Sequence, residues 1–537
     1  MRRREDLPLI TGSGAYLADL RLDGMLHAGF IRSDEPHALV EEVRIPPKVA
    51  AFTAADLGLD RPMPDLHPHP LLDHAHRPAP LAGREVCYVG EPIAVVLADR
   101  PETATDLRDR VEVEYTPLPS VGDPRLALEE DSPPVHLGDT SNRVARLSVT
   151  FGDAETALRR ADEVVEVRLR QHRGAAVPME TRGVLAVWDE SRETLTVWTS
   201  TQSPFGVRRV IAEYLSLDPD RVRVVAPDVG GGFGPKAAVY PEEVVVAALA
   251  IRLGRPVRWL EGRRENLTCM LQQRDQFWTL RGAFDRNGGI LGIEGHVVHD
   301  NGAYVPYGLL LPATSLRLIS GPYRIESVDV ALDSVYTNRV PTSPVRGAGR
   351  PHAVFALERL LDTAARALGM DRAEIRRRNL VRPGDMPYQV PIPLPGERPS
   401  PTTRATTRPP WKRPWKPAVG TVSRRGDARP PPGDANGVWV WPCTWRTPAW
   451  PRRTPPSRDC CPTARCSCWS EPRARVRVMP PPSLRWRRTT WDALPNRSRW
   501  KPATPAWCLP GAPPWPAGPR SRWPTRRPVR HEAWPSC

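Results

Sequence analysis

The feature that most constrains this chain is a glycine cluster at residues 226–236, which read APDVGGGFGPK. Glycines at this density cost backbone entropy and bury nothing, so they indicate a segment bent where side chains would clash. Residues 222–225, rich in valine, predict a strand before the cluster, and Pro241, Glu242 and Glu243 favour a helix start after it. A strand, a glycine loop and a helix N-terminus together are typical of an anion-binding cradle.

The cluster matches neither of the familiar nucleotide-binding loops. A dinucleotide-binding loop needs the spacing G-x-G-x-x-G, and a P-loop needs Gly-Lys followed by Ser or Thr. Lys236 is followed by Ala237, so no hydroxyl is available for magnesium. The sequence favours another phosphate- or oxo-bearing ligand, and a tight turn without a ligand is the alternative.

A second glycine-rich segment occurs at 343–351, SPVRGAGRP, just before a predicted helix at 353–368. Each of the two loops leads towards a helix N-terminus, where backbone N–H groups are free to bind an anion. The pair predicts one ligand held from two sides.

The pattern of apolar residues before residue 396 predicts an α+β fold, with an N-terminal α+β domain over 1–135 and a second domain over 136–395. Besides 222–225, strands are predicted at 26–31, 88–97, 111–115, 163–169, 183–188, 195–199, 257–260, 277–284, 290–299 and 328–335. A Gly-Glu-Pro turn at 90–92 is predicted inside the strand 88–97. Besides 353–368, helices are predicted at 101–110, 154–161, 207–215 and 242–253.

No signal peptide and no apolar run of membrane-spanning length is evident in the sequence. Two cysteines before residue 396 do not make a disulfide framework, so we expect a cytoplasmic protein without a membrane partner. Four histidines, at 67, 69, 74 and 76, invite a zinc site. Pro68 and Pro70 between them argue against clustered ligands, so we expect no metal there.

Composition changes sharply near residue 396. Residues 397–537 contain 28 Lys and Arg against 7 Asp and Glu, whereas the residues before them contain 48 against 54. This tail also holds 14 of the 18 tryptophans and shows neither helical nor strand periodicity. A basic protein that binds nucleic acid through its Arg/Trp-rich tail is one interpretation, since stackable aromatics and positive charge suit single strands.

A shifted reading frame explains the tail better, so we expect no nucleic-acid partner. If each true codon joins the last base of one printed codon to the first two of the next, residues 401–409 permit Pro-Tyr-Asp-Ser-Gly-Asp-Tyr-Pro-Pro. Residues 411–416 then permit a helical segment, and 438–450 permit an apolar strand. We expect the native frame to end within 391–400 and residues 396–537 to form no native domain.

Several short motifs precede the tail in a fixed order. They are RRED with LITG (3–6 and 9–12), YVGEP (88–92), PME (178–180), STQ (200–202), the first glycine loop, TN (337–338), RGAGRP (346–351) and RRRNL (376–380). Together they resemble the molybdenum-cofactor-binding large subunit of the xanthine dehydrogenase/aldehyde oxidase family. The resemblance implies a hammerhead-like α/β domain followed by the first part of a molybdopterin-binding α+β domain.

The resemblance also implies an activity. Family members are molybdenum hydroxylases that oxidise a small-molecule substrate, such as an aldehyde or an N-heterocycle, with water as the oxygen source. The implied cofactor is molybdopterin cytosine dinucleotide, and the implied partners are an iron–sulfur small subunit carrying 2Fe–2S clusters and a medium subunit carrying FAD. This chain offers no cluster-ligating cysteine spacing before the tail, which fits a single-cofactor subunit.

The resemblance assigns two sets of site residues. The expected cofactor-binding residues are Gln202, Gly231, Gly232, Phe233, Gly234 and Arg346. The expected substrate pocket contains Arg346, Gly347 and Ala348.

Two departures from the family narrow the substrate. Gly347 stands where carbon monoxide dehydrogenases carry a copper-bound cysteine, and Ala237 stands where purine-oxidising members carry a glutamate. The family's catalytic glutamate base has no counterpart here, so the catalytic residue is unknown. We expect this chain to be inactive and to bind the cofactor unstably; a truncated, non-catalytic subunit that still docks its partners is the alternative.

Overall fold

The structure, a computed structural model, describes residues 5–72, 75–386, 388–389 and 401–402. His74 and nearly all of the basic tail lie outside the described residues. The predicted α+β class is confirmed, because the described residues contain both helices and four β-sheets, of seven, five, three and two strands. No described helix is both long enough and apolar enough to cross a bilayer.

Ten α-helices occur among the described residues. They are α1 (Asp6–Ile10), α2 (Ala54–Leu57), α3 (Pro101–Arg108), α4 (Ala154–Arg160), α5 (Pro204–Tyr214), α6 (Pro241–Leu253), α7 (Arg263–Cys269), α8 (Leu310–Arg317), α9 (Arg350–Ala367) and α10 (Arg372–Asn379).

The strands of the first half are β1 (Leu26–Arg32), β2 (Ala38–Arg44), β3 (Ala50–Thr53), β4 (Glu85–Val86), β5 (Pro92–Ala98), β6 (Glu112–Pro117), β7 (Arg143–Phe151), β8 (Glu163–Gln171) and β9 (Gly183–Asp189). Those of the second half are β10 (Thr194–Thr199), β11 (Val222–Val225), β12 (Val257–Leu260), β13 (Gln276–Phe284), β14 (Ile290–Asp300), β15 (Val328–Val335), β16 (Tyr388–Gln389) and β17 (Pro401–Thr402).

The largest sheet has seven strands in the order β11-β10-β9-β12-β1-β5-β3. It is mixed, because β10 and β11 pair in parallel, β1 and β12 pair in parallel, and the other pairs are antiparallel. Helices α5 and α6 pack on it through valine, leucine and alanine side chains that are fully buried. Burial of this apolar surface is the main force that holds the helices to the sheet.

This sheet contains strands from 26–98 and from 183–260, so it crosses the predicted domain boundary at residue 135. The predicted limits of the two domains, 1–135 and 136–395, stay a prediction. Two smaller sheets accompany it, β4-β2-β6 and the pair β16-β17.

A five-stranded sheet, β7-β15-β14-β13-β8, forms the second core. Its buried side chains include Trp278, Leu280 and Phe284, and α9 packs across β8 and β13. The amphipathic face of α9 explains this packing, because Leu357, Leu360 and Leu361 recur at helical spacing.

Within the predicted strand 88–97, the predicted turn at 90–92 lies two residues too late. The strand β5 begins only at Pro92, and residues 88–90 form a turn instead. Gly90 has φ +103°, and a Cβ there would lie 2.8 Å from the Cys269 sulfur. The close approach of α7 therefore requires a glycine and breaks the strand at this position.

Candidate functional site

The first glycine loop follows β11 and lies directly against the second glycine loop. Gly234 has φ +116°, and a Cβ at this residue would lie 1.9 Å from the Pro344 carbonyl oxygen. The backbone N–H of Arg346 donates to the Phe233 carbonyl oxygen at 2.8 Å. The structure thus brings together the two loops that the sequence predicted to converge.

The Gln202 side chain packs against the first loop, and its role in cofactor binding stays a prediction. A Cβ on Gly232 would lie 2.4 Å from Cδ of Gln202, so a side chain at this position would displace Gln202. Gly234 N–H donates to Oε1 of Gln202 at 2.8 Å. Because Oε1 is the acceptor, the amide NH₂ of Gln202 is left to donate elsewhere, and no described residue accepts from it.

Two backbone donors of the first loop have no acceptor among the described residues. The N–H groups of Gly232 and Phe233 donate to no described atom, whereas Gly231 N–H donates to Val229 at 2.9 Å. Phe233 has φ +57°, a conformation that costs energy for a residue with a side chain. Such strain at a glycine loop is typical of ligand-binding segments.

The second loop shows the same combination of strain and free donors. Gly347 and Gly349 have φ +109° and +80°, and Ala348 between them has φ +39°. The N–H of Gly347 donates to no described residue. The Arg346 side chain is exposed and forms no ion pair within the described part of the chain.

A buried ion pair supports the first loop from below. Lys236 Nζ lies 3.1 Å from Oε2 of Glu180 and donates to Ser200 Oγ at 2.7 Å. The same Glu180 oxygen accepts from Gly230 N–H at 2.8 Å. Burial lowers the pKa of Lys236, and Glu180 opposes that shift. This lysine is therefore a structural anchor of the loop.

These anchors link three motifs that are distant in sequence, PME, STQ and the glycine loop. All three motifs are evident in the sequence, but their pattern predicts no role for Glu180, Ser200 or Lys236. A pairing of this kind depends on tertiary contacts, so no local pattern identifies it.

The N-terminus of α6 does not complete an anion cradle, which corrects that expectation. The helix begins at Pro241, and a short 3₁₀ turn separates it from Gly234. Glu243 accepts from Tyr240 N–H at 2.9 Å and from Thr199 Oγ1 at 2.6 Å, so the helix start already has a buried carboxyl group. Burial raises the pKa of Glu243 to about 7.

Arginines compensate the second buried carboxylate at this helix start. Glu242 lies 2.6 Å from Arg32 and 3.2 Å from Arg182. Burial favours the neutral carboxyl group, but the two arginines lower the pKa of Glu242 overall. The helix dipole is thus balanced within the protein, and an external anion has no place here.

A group of buried polar side chains lies behind the second loop, and no local sequence pattern predicts it. Gln171, Gln276 and His299 are register neighbours on β8, β13 and β14. His352, in the first turn of α9, is buried, and neither of its ring nitrogens has a partner in the described residues. Buried polar atoms of this kind are normally satisfied by ordered water.

The described residues of the histidine-rich loop face separate partners. His67 stacks on Tyr307 with ring centroids 5.0 Å apart, and His69 Nδ1 accepts from Leu71 N–H. His76 lies 2.9 Å from Asp139. The three side chains do not converge.

Two family models match this chain. Residues 11–119 match the aldehyde oxidase and xanthine dehydrogenase a/b hammerhead domain, and residues 135–380 match the molybdopterin cofactor-binding domain. Both matches lie before the basic tail.

Curated relatives match the same part of the chain. The chain is 35% identical to the 6-hydroxypseudooxynicotine dehydrogenase complex subunit gamma of Paenarthrobacter nicotinovorans, over 72% of this chain and 50% of that subunit. It is 30% identical to the nicotinate dehydrogenase large molybdopterin subunit of Eubacterium barkeri, over 69% of this chain and 86% of that subunit. The chain spans about half the length of most of the curated relatives that it matches.

The fold also resembles solved structures. Quinoline 2-oxidoreductase from Pseudomonas putida 86 superposes with a TM-score of 0.69 at 35% identity, over 72% of this chain and 50% of that one.

Proposed function

The chain belongs to the molybdenum-binding large subunits of the aldehyde oxidase/xanthine dehydrogenase family, and on this premise we propose that it supplies the first part of a molybdenum-cofactor site. The proposed enzyme is a hydroxylase that oxidises an aldehyde or an N-heterocycle and takes its oxygen from water. The observation that carries the proposal is the contact between the two glycine loops beside Gln202.

The residues at this contact fit an oxygen-rich, anionic group. Gly232 and Phe233 present backbone N–H groups without acceptors, and the Gln202 amide adds a side-chain donor. Any side chain at Gly232 or Gly234 would fill the space that brings these donors together. Backbone donors in such a nest favour a negatively charged ligand.

We propose the following roles for the chain's own residues. Gly232, Phe233 and Gln202 donate hydrogen bonds to the oxygen and sulfur ligands of the cofactor. Gly234 acts through Gln202, because its N–H already holds Oε1 of that side chain. Gly231, whose N–H is also used, provides the turn that positions Gly232. When bound, the cofactor supplies the redox and oxygen-transfer chemistry, and the cytosine dinucleotide form is part of the proposal.

The second loop faces the substrate in this proposal. The exposed guanidinium of Arg346 and the unused N–H of Gly347 suit a carbonyl oxygen or a ring nitrogen, whereas Ala348 N–H already donates to the Val345 carbonyl oxygen at 2.9 Å. Gly347 has no thiol for copper, and Ala237, which packs in an apolar cluster with Tyr240 and Leu271, has no carboxylate of its own to hold a purine. These features favour an aldehyde or an N-heterocycle.

We propose that the electrons leave through 2Fe–2S clusters and FAD on separate iron–sulfur and flavin subunits. The curated relative from Paenarthrobacter nicotinovorans is named as a subunit of a complex, which supports this arrangement. The chain with its basic tail is proposed to be inactive by itself, since the family's catalytic glutamate has no counterpart in the sequence. The nucleic-acid alternative concerns the tail, outside the described residues.

The test restores the reading frame by inserting or deleting one base within codons 391–400. The restored protein is then compared with the protein of the present sequence. Restored protein, co-expressed with the partner subunits, is expected to contain molybdenum, to release CMP on acid hydrolysis, and to reduce a dye with aldehydes or N-heterocycles. Gly232→Ala is expected to lower molybdenum content at least about tenfold, because the added Cβ displaces Gln202.

The matched control is Gly122→Ala, since nothing lies within 4 Å of a Cβ at Gly122. It is expected to retain wild-type molybdenum content. Full molybdenum content in Gly232→Ala would contradict the assignment of the loop, and oxidation of carbon monoxide or xanthine alone would contradict the substrate class.

A further inference from the structure

A cluster of side chains that could bind a metal ion lies outside the glycine loops. Glu85 in β4, Cys87 just after it and His136 have ligand atoms that all lie within 4.8 Å of one another. Cys87 and His136 are buried, and Glu85 is partly exposed. Thiolate, imidazole and carboxylate are the ligand types that zinc binds in proteins.

His136 is already held in the tautomer that a metal requires. Its Nε2 lies 2.6 Å from the Ala303 carbonyl oxygen, so this nitrogen carries the proton and donates. The Nδ1 lone pair then faces Cys87 Sγ at 3.3 Å. Histidine ligands usually donate their other N–H to such a carbonyl, which fixes the ring orientation.

Glu85 is also oriented by its neighbours. Its Oε1 lies 2.9 Å from His37 Nε2 and accepts from Leu137 N–H at 2.8 Å. The other ring nitrogen of His37 lies 2.7 Å from the Pro119 carbonyl oxygen. These contacts fix the orientation of the Glu85 carboxyl group, and no described residue donates to its Oε2.

The separation of Sγ and Nδ1 suits a tetrahedral ion, and the Glu85 oxygen lies within 4.8 Å of both atoms. Zinc–sulfur and zinc–nitrogen bonds of about 2.3 and 2.0 Å place the two ligand atoms roughly 3.5 Å apart. The observed separation of 3.3 Å between Sγ and Nδ1 needs only a small outward movement. The thiol proton now lies between these two atoms, where a metal ion would take its place.

Two other readings of the pair fit less well. A catalytic Cys–His dyad needs an accessible thiolate, but Cys87 is 1% exposed and burial raises the pKa of its thiol far above the usual value. A disulfide is absent in the described residues, because Cys87 and Cys269 are both free.

We propose that Glu85, Cys87 and His136 bind a divalent metal ion, best matched by Zn²⁺, with water as the fourth ligand on the exposed side of Glu85. Binding replaces the Cys87 thiol proton, which is released to solvent, and no electron is transferred. Glu85 and Cys87 belong to the first matched domain and His136 to the second, so the ion joins the two. The role that follows is structural.

The test titrates Co²⁺, a spectroscopic substitute for Zn²⁺, into chelator-treated full-length protein. The background carries serine at the cysteines that would compete for cobalt: Cys443, Cys460, Cys461, Cys466, Cys468, Cys508 and Cys537. We expect one equivalent of Co²⁺ to produce a thiolate-to-cobalt charge-transfer band, and Zn²⁺ to remove it and raise the melting temperature.

Matched variants assign the band to this cluster. Cys87→Ser is expected to abolish it, and Cys269→Ser, the other buried cysteine of the described residues, is expected to keep it. His37→Gln, which removes the imidazole that contacts Glu85 and the Pro119 carbonyl oxygen, is expected to keep the band with affinity about 10–100-fold weaker. This variant leaves all three ligands intact, so it remains informative if Cys87→Ser fails to fold.

Either of two outcomes overturns the proposal: no thiolate band in the background protein, or the same band in Cys87→Ser with native far-UV circular dichroism. Neither outcome depends on molybdenum, so the test is independent of the proposed function.

Discussion

Phe233 and Ala348 both occupy the left-handed region of backbone space, and each lies in one of the two loops that meet. Non-glycine residues avoid this conformation unless the surrounding structure enforces it. Here the enforcing contacts are the Arg346–Phe233 hydrogen bond and the close approach of Gly234 to Pro344. The strained backbone conformations of the two residues therefore depend on the contact between the two loops.

At the residue scale, Gly234→Ala is expected to separate the loops. The new Cβ would overlap the Pro344 carbonyl oxygen, and φ +116° is unfavourable for alanine. We expect the free energy of unfolding to fall by more than about 3 kcal/mol, measured by urea denaturation. Gly122→Ala, with open space at its Cβ, is expected to change it by less than about 1 kcal/mol. Equal effects would show that the loop contact adds nothing to stability.

The buried histidines behind the second loop predict a pH dependence. Burial lowers the pKa of His299 to about 4 and that of His352 to about 3, with His299 adding to the second shift. In the unfolded chain both rings take up protons near pH 6.5. Between about pH 6.5 and 4 the unfolded state thus binds more protons, so stability falls as pH falls through this window.

Urea denaturation as a function of pH measures this effect. His352→Gln is expected to reduce the slope by up to about 1.4 kcal/mol per pH unit, because one neutral buried imidazole is removed. Exposed His172 provides the control, and His172→Gln is expected to leave the slope unchanged. Identical slopes in all three proteins would show that His352 is charged or solvated in the folded state.

At the element scale, the first glycine loop depends on Lys236, whose side chain is buried and pairs with Glu180. Lys236→Met leaves the carboxylate of Glu180 buried without its cation, and a broken buried pair costs about 3–5 kcal/mol. The double variant Lys236→Met/Glu180→Gln is expected to recover part of that loss, which a double-mutant cycle by urea denaturation measures. Lys48→Met, at an exposed position, serves as the control. Additive effects of the two substitutions would contradict a direct pairing.

Much of the element order was predictable because periodicity is local. Strands 222–225, 257–260 and 328–335 match the structure at both ends, and the predicted helix 242–253 differs from α6 by one residue. Among the elements missed are β2, β3, β7, α7, α8 and α10. Some are short, and β2 carries charged residues on an exposed face, so its apolar pattern is weak. The alternating apolar residues of β7 are a strand pattern, so this strand was predictable from the sequence although it was missed.

The candidate site was predictable only in part. Glycine density and motif order identified the two loops and Gln202, because these are properties of the sequence. The links between them are not: the Gly234–Gln202 bond and the Glu180–Lys236 pair join residues 32 and 56 positions apart. Only the folded chain shows that Gly234 N–H is used by Gln202 while those of Gly232 and Phe233 stay free.

At the scale of the whole molecule, large apolar side chains remain exposed in the loops and in the first turn of α5. Met179 is 92% exposed, Phe205 80% and Phe233 43%. Exposed apolar surface of this kind marks a contact with another polypeptide segment or favours aggregation. We expect the purified chain to contain far less than one molybdenum per molecule by elemental analysis and to bind a hydrophobic dye. Stoichiometric molybdenum would contradict the proposal that the chain is inactive.

The reading-frame hypothesis makes the most direct prediction about the whole molecule. Resequencing across the codons for residues 387–403 is expected to show a gained or lost base. A confirmed printed sequence would instead indicate a gene that no longer encodes a working subunit, and the family would then describe its ancestry.

The parallel pairing of β1 with β12 has a consequence for synthesis. Strand β1 is complete at Arg32, but its neighbour in the sheet begins only at Val257. At about 5–20 residues per second, a ribosome needs roughly 10–50 s to make the intervening chain. During that interval one edge of β1 has no partner, and non-local pairing of this kind folds slowly. A nascent chain would need protection of that edge until residue 260 has emerged, so chaperone demand is set by the order of strands in the sheet.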